Sequence, residues 1–431
     1  MNTHLNLFFA VVALAIVPCL AVAQTTNPSP EGFSLGPAIQ GYVYDQGDIK
    51  LADTFRRVAA AGTGRKAMQL TSGRGQKYPL YYFIPSLTKD LRHLIYHSTE
   101  SGTIQIHRLD LHTGESVQLT KGDTGQQKWW GSQGGIGVLD HRSVLNVARG
   151  QVIYFAGPDG RQVRMVDLAT LKDTLLFELP EGREALAQNA CTPDGKWFLY
   201  NHAPVPPPGL KQGQKIPGET CVVAYNFDTG EQKVLHKGEN RYHHVMPCGN
   251  DRAFFCHSWS LVGFDGQPAV AVPTGLHSMV TARGIASDGS SLYHPLTGKR
   301  VSIGGGKGWG YTHTGWDPEG RFWFWEIKGG GHRLVYLKRY DESGKGQHEF
   351  ADLTGEWRNS AGDGQRAHFH PLLTPDRKWV LFAADEVDAG PKPAGTQLFL
   401  LDVSDLAGAD LIADAVRENP KLIVSESQRR K

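Results

Sequence analysis

Along most of the chain, apolar and polar residues alternate with a period of two in short runs bounded by Gly, Pro, Asp and Asn. That alternation marks half-buried β-strands, and long stretches of helical periodicity are missing. Two turn signatures punctuate the runs. One is a Pro-Asp-Gly-Lys-like turn leading into an apolar strand: Thr192-Pro-Asp-Gly-Lys-Trp-Phe-Leu-Tyr, Asp317-Pro-Glu-Gly-Arg-Phe-Trp-Phe-Trp and Thr374-Pro-Asp-Arg-Lys-Trp-Val-Leu-Phe. The other ends a strand in a Thr-Gly turn, as in Arg108-Leu-Asp-Leu-His-Thr-Gly-Glu, Tyr225-Asn-Phe-Asp-Thr-Gly-Glu and His294-Pro-Leu-Thr-Gly-Lys. The pair recurs in units starting near residues 80, 135, 187, 243, 278, 311 and 367, the fifth short and the second poorly marked. Such a repeat predicts an all-β fold, a seven-bladed β-propeller with four-stranded antiparallel blades.

The domain plan follows. Residues 1–23 read as a signal peptide, because an apolar run ends in the small-x-small sequence Ala21-Val22-Ala23. Residues 24–60 are a polar, glycine-rich N-terminal segment, and 61–431 the propeller, with Lys66-Ala-Met-Gln-Leu-Thr predicted as the strand that closes the ring. The expected location is periplasmic or secreted, with no membrane attachment after cleavage. Cys191, Cys221, Cys248 and Cys256 remain, with no Cys-x-x-Cys zinc spacing. Export permits disulfides among them, and a hairpin could set Cys248 across from Cys256. The 45 basic and 43 acidic residues nearly cancel, so nothing points to nucleic acid. Oligomeric state is not legible.

Chemistry concentrates in Gly364-Gln365-Arg366-Ala367-His368-Phe369-His370-Pro371. On a strand His368 and His370 share a face, and Gln365 reaches them from the preceding loop. Counting five residues back from the turn's proline gives His370 in the seventh unit and His313 in the sixth; the same count gives His244 in the fourth. The equivalents Ile84, Gln188 and Ala282 show that folding does not require histidine there. His313, Gln365, His368 and His370 are therefore the predicted ligands of one divalent metal ion. The shell is neutral, which favours an anionic ligand such as a uronate carboxylate; zinc, manganese, nickel and cobalt all suit it.

With these residues in view, the chain resembles the oligogalacturonate lyases, seven-bladed propeller enzymes that cleave short pectin fragments by β-elimination with a divalent metal. Gln365-x-x-His368-x-His370-Pro followed by the Thr-Pro-Asp turn carries the resemblance, and His313 takes the place of the remaining metal histidine. Asn240-Arg-Tyr-His-His and Phe254-Phe-Cys-His257 are similar to the family's fourth blade. The segment after His257 that carries the family's base histidine and its carboxylate-binding arginine is missing. The resemblance implies manganese as the metal and an acidic oligosaccharide as substrate.

The general base is left among His244, His257 and His277, with His243 as an outside candidate; His244 is preferred because the repeat sets it level with the metal. Arg252, Arg283 and Arg366 are the candidate cations for the substrate carboxylate. Trp129-Trp130, in a glycine-rich loop, is the better stacking platform, and Trp323 and Trp325 read as blade packing. No Gly-x-Ser-x-Gly elbow or phosphate-binding loop is present. The expected activity is that of a metal-dependent polysaccharide lyase acting on uronate-containing oligosaccharides. The alternatives are a lyase for another polyuronate, such as ulvan, and a non-catalytic periplasmic propeller that binds sugars or proteins.

Overall fold

A computed structural model describes residues 36–60, 62–125, 137–207, 217–239, 242–256, 259–272, 277–286, 291–302, 311–318, 320, 322–329, 332–339, 349–355, 357–359, 368–386 and 395–405. Their strands pair into antiparallel sheets that follow one another along the chain, with first strands Lys77–Pro79, Val144–Asn146, Arg183–Ala185 with Ala190–Cys191, His243–Pro247, Met279–Thr281, Tyr311–Trp316 and Leu372–Leu373. Neighbouring first strands touch, Val144–Asn146 and His243–Pro247 each meeting Ala190–Cys191, and Tyr311–Trp316 meeting both Met279–Thr281 and Leu372–Leu373, and the fold is an all-β propeller. Seven equal four-stranded blades are not what the structure shows. The third and seventh sheets have five strands, and every strand of the fifth is only three residues long.

Closure of the ring is legible in the pairing. Lys66–Gln69 lies antiparallel to Thr396–Asp402, with Ala67 opposite Leu401 and Gln69 opposite Phe399. An additional strand, Arg56–Ala59, pairs outside it. The described part of the N-terminal segment, 36–60, thus packs into the fold. Ile39, Ile49, Ala52 and Phe55 are buried. Its backbone crosses one mouth of the channel, with Ile39 N–H donating to Ala282 O (2.9 Å), Tyr42 Oη–H to Cys191 O (2.8 Å) and Ile49 N–H to Asp376 Oδ2 (2.9 Å). Beneath this strap lies a cavity of about 650 Å³ lined by Phe83, Met246, Met279, Trp316 and Leu372 among others.

The channel itself is filled from the first sheet. After Pro79 the chain leaves the ladder and makes a tight turn, with Ile84 N–H donating to Tyr81 O (3.2 Å). Tyr81, Tyr82 and Phe83 consequently enter the core, where Tyr81 meets Tyr82 at 4.7 Å between centroids and Phe83 edge-on at 5.4 Å. Aromatic pairs of this kind add about 0.5–1.5 kcal/mol beyond their burial. Cys191, Cys221, Cys248 and Cys256 are free thiols. The expected Cys248–Cys256 juxtaposition fails because the ladder sets Cys256 opposite His243, while Cys248 binds back to Arg252 O in the turn.

Candidate metal centre

The mouth opposite the strap is lined by histidines whose backbone is strained. His141, His244, His277 and His370 all have positive φ, at 52°, 54°, 53° and 47°. A non-glycine residue in this region costs about 1–3 kcal/mol, and such residues cluster where function requires them. The strain explains the local geometry. His368 and His370 converge on His313 although they are not on a strand, because the strand begins only at Leu372 and the left-handed turn at His370 re-aims its ring. The centroid of His313 lies 4.4 Å from that of His368 and 4.3 Å from that of His370. His313 itself sits in a register slip between Tyr311 and Thr314 that turns it into the channel.

The residue that organises this trio is Glu326, which sequence reasoning missed. It lies on the strand Phe322–Gly329 with no exposed surface. Its Oε1 accepts the Nδ1–H of His313 (2.8 Å) and that of His368, and its Oε2 accepts the amide of Phe369. Burial alone would raise this carboxyl, but the charge of His368 and the hydrogen bonds from His313 and His368 hold it well below the usual range. The carboxylate is therefore ionised and can only accept. That fixes the hydrogen of each donating ring on Nδ1 and leaves the lone pair of a neutral ring on Nε2, the pattern by which carboxylates orient metal-binding histidines. Burial pushes His313 down to about 3 against the pull of Glu326, so its ring is neutral at ordinary pH. A buried negative charge thus stands directly behind the neutral donor set that the sequence suggests.

His370 supplies the clearest sign of a ligand. It is fully buried, burial holds it well below its ordinary value, and neither ring nitrogen has a hydrogen-bond partner among the described residues. An unsatisfied buried polar group costs about 1–3 kcal/mol. A divalent ion taking the imidazole lone pairs of His313, His368 and His370 fits this donor set and relieves the orphan. Glu326 is close enough to be grouped with His313 and His368 as a ligand. Its oxygens already accept three N–H donors, which suits it better to orienting them.

The remaining predicted residues divide clearly. His244 is buried, and Tyr81 Oη stands between its Nε2 (3.0 Å) and His313 Nε2 (3.1 Å). His277 is half-buried, its ring 4.8 Å from that of His313, and burial lowers it to about 4. The structure does not bring Arg252 to the cluster: it starts the strand whose far end, Cys256, meets His243, and it pairs with Asp251 at 3.0 Å. Arg283 lies in the turn after Thr281, beside the strap-side cavity. Gln365, Arg366, His257, Trp129 and Trp130 lie outside the described residues, as do the side chains of Trp323 and Trp325.

Tyr81 and His141 were missed along with Glu326. His141 belongs to the poorly marked second unit; its ring is 5.5 Å from that of His370 and its Nδ1 is 3.2 Å from Leu80 O. Glu326 did leave a signal in Phe322-Trp-Phe-Trp-Glu-Ile, as the lone charge on the buried parity of Phe324.

No family model matches the sequence, and no curated protein matches it. Among solved structures, the chain is similar to an oligogalacturonate lyase from Vibrio parahaemolyticus at 17% identity, covering 84% of this chain and 100% of that one with a TM-score of 0.66. It is also similar to an oligogalacturonate lyase in complex with manganese, at 20% identity over 85% of this chain and 100% of that one, again with a TM-score of 0.66. At this identity the likeness establishes the propeller fold.

Proposed function

We propose that this protein is an exported, metal-dependent polysaccharide lyase that cleaves uronate-containing oligosaccharides by β-elimination, with oligogalacturonides the first substrates to test. The sheets, the reduced fifth included, would form the seven blades of one ring. The observation that carries the reading is the Glu326-anchored pair His313 and His368 beside the orphaned imidazole of His370. The likeness to two oligogalacturonate lyases, one of them a manganese complex, supports it.

His313, His368 and His370 would hold the ion, with Gln365 as a further ligand, and manganese is the first choice. When bound, the ion supplies Lewis-acid neutralisation of the uronate carboxylate, which makes the C5 proton acidic. His277 is the best-placed base. It is neutral at ordinary pH, only partly buried and adjacent to His313, whereas His244 is buried behind Tyr81. Its ring takes the C5 proton, the C4–O bond breaks, the C4=C5 double bond forms, and the leaving oxygen collects a proton from water.

One observation favours a second reading, sugar binding without catalysis: Arg252 is held by Asp251 and supplies no cation to the cluster. Manganese-loaded full-length protein incubated with oligogalacturonides, ulvan oligosaccharides and glycosaminoglycan fragments separates the two. Rising ultraviolet absorbance from an unsaturated uronate is expected with at least one of them. A metal-loaded protein inert toward every uronide would leave only the binding module.

A further inference from the structure

Two consecutive side chains of the strand His243–Pro247 face the same way, which a regular strand forbids. The register slips between His243 and Met246 opposite the strand Arg252–Cys256, and His244 has a φ of 54°. Together the slip and the left-handed residue bring the two rings to 4.4 Å between centroids, with their Nδ1 atoms 2.9 Å apart. Cys256 is the ladder partner of His243, its Sγ 3.9 Å from that ring's Nε2. One ring nitrogen from each histidine and the sulfur lie within 4.8 Å of one another. His244 and Cys256 are buried while His243 is half-exposed, which leaves a way in from the mouth.

We propose that His243, His244 and Cys256 form a second metal site, separate from that of His313, His368 and His370, for a thiophilic divalent ion such as zinc. Two imidazoles and a thiolate with one open position are a donor set that zinc takes, and the sulfur discriminates against magnesium, calcium and manganese. Burial pushes the Cys256 thiol up to about 12, so the free protein holds it protonated. Binding replaces the S–H bond with a metal–sulfur bond and releases one proton to solvent. Packing alone would explain a buried cysteine beside an imidazole. It does not explain why the strand spends a bulge and a left-handed histidine to aim both rings at one point. Among the described residues, Cys191, Cys221 and Cys248 have no such histidine pair. Tyr81 Oη, 3.0 Å from His244 Nε2 and 3.1 Å from His313 Nε2, marks the boundary between the two centres.

This inference stands apart from the lyase reading and is tested without activity. Titrating metal-free full-length protein with cobalt(II) should produce a sulfur-to-cobalt charge-transfer band in the near ultraviolet, with about one proton released per band-forming ion. The band should disappear in Cys256→Ser, persist in Cys191→Ser, Cys221→Ser and Cys248→Ser, and persist in His370→Ala, whose loss falls on the other centre. His243→Gln should raise the half-saturating cobalt concentration about tenfold or more. It serves as the second arm should Cys256→Ser fail to fold. Absence of the band in the parent protein, its survival in folded Cys256→Ser, or an unchanged titration in His243→Gln would each overturn the proposal. Loss of uronide cleavage with the band intact would count against the lyase alone.

Discussion

At one mouth of the channel four histidines adopt left-handed backbone and the imidazole of His370 is buried without a hydrogen-bond partner among the described residues. At the other, residues 36–52 lie across the ring with backbone and tyrosine donors matched to carbonyls and a carboxylate, over a mostly apolar cavity. The first strands run from one mouth to the other, from His244 to Pro247 and from His313 to Trp316, so strand propensity does not distinguish the two ends. The difference is in what each end leaves unfinished. Strain and an orphaned nitrogen persist only where the surrounding structure over-determines them, and a bound ligand would offset that strain at the histidine mouth. At the strap mouth the donors that cross the ring find their acceptors within the protein.

The largest test of this contrast is His370→Ala. It should abolish the elimination proposed above and the rise in melting temperature expected of the parent protein in saturating manganese, measured by activity and by thermal unfolding with and without the ion. A metal-induced rise unchanged in the variant would dissociate His370 from the ion. Next comes the strap. Ile39→Ala should lower stability by about 2–5 kcal/mol in denaturant unfolding, because a buried side chain is truncated, while leaving manganese affinity unchanged. An equal loss of metal affinity would mean that the two mouths are coupled rather than separate.

Glu326→Gln should weaken manganese binding about 10–100-fold without abolishing it, since an amide oxygen can still accept from His313 and His368, whereas its NH2 cannot accept the Phe369 N–H and the negative charge behind the rings is lost. Equilibrium titration reads this directly. Undiminished affinity would place the carboxylate outside the ion's support.

The smallest effect lies away from both mouths. Burial lowers His107 and His202 to about 4, with Arg183 adding to the effect at His202. Their folded values lie below the unfolded value near 6.5. The unfolded chain therefore takes up protons that the folded one refuses as pH falls. Stability contributed by these two groups is complete above about 6.5, declines between there and about 4, and changes no further below. Denaturant unfolding across that window should show the decline, and replacing both with Gln should flatten it.

Much of the scaffold was legible because turns are local. Pro-Asp-Gly and Thr-Gly signatures located the sheets, and Lys66–Gln69 was recognisable as the closing strand. The strand Arg56–Ala59 and the buried strap were not. Arg56–Ala59 pairs with nearby Lys66–Gln69 but is too short and polar to read as a strand, while the strap's partners, such as Asp376 for Ile49, lie far along the chain, where composition does not reveal what a backbone will bond to. For the site, turn-counting brought His313 and His370 to one level, and their rings do meet. The reasoning for His368 and His370 reached the right neighbourhood by the wrong route, because it assumed a strand where the backbone turns left-handed.

The sequence by itself determined a β-fold built from repeated turns, the order of its sheets, and the common level of His313 and His370, because each depends on spacing within a few residues. Only the tertiary structure decided that Glu326 stands behind His313 and His368, that Tyr81 enters the channel from the first sheet, and that Arg252 turns to Asp251. Those facts depend on which distant groups share a water-free space. In such a space the demand that every buried donor and acceptor be paired, rather than any local preference, sets the arrangement.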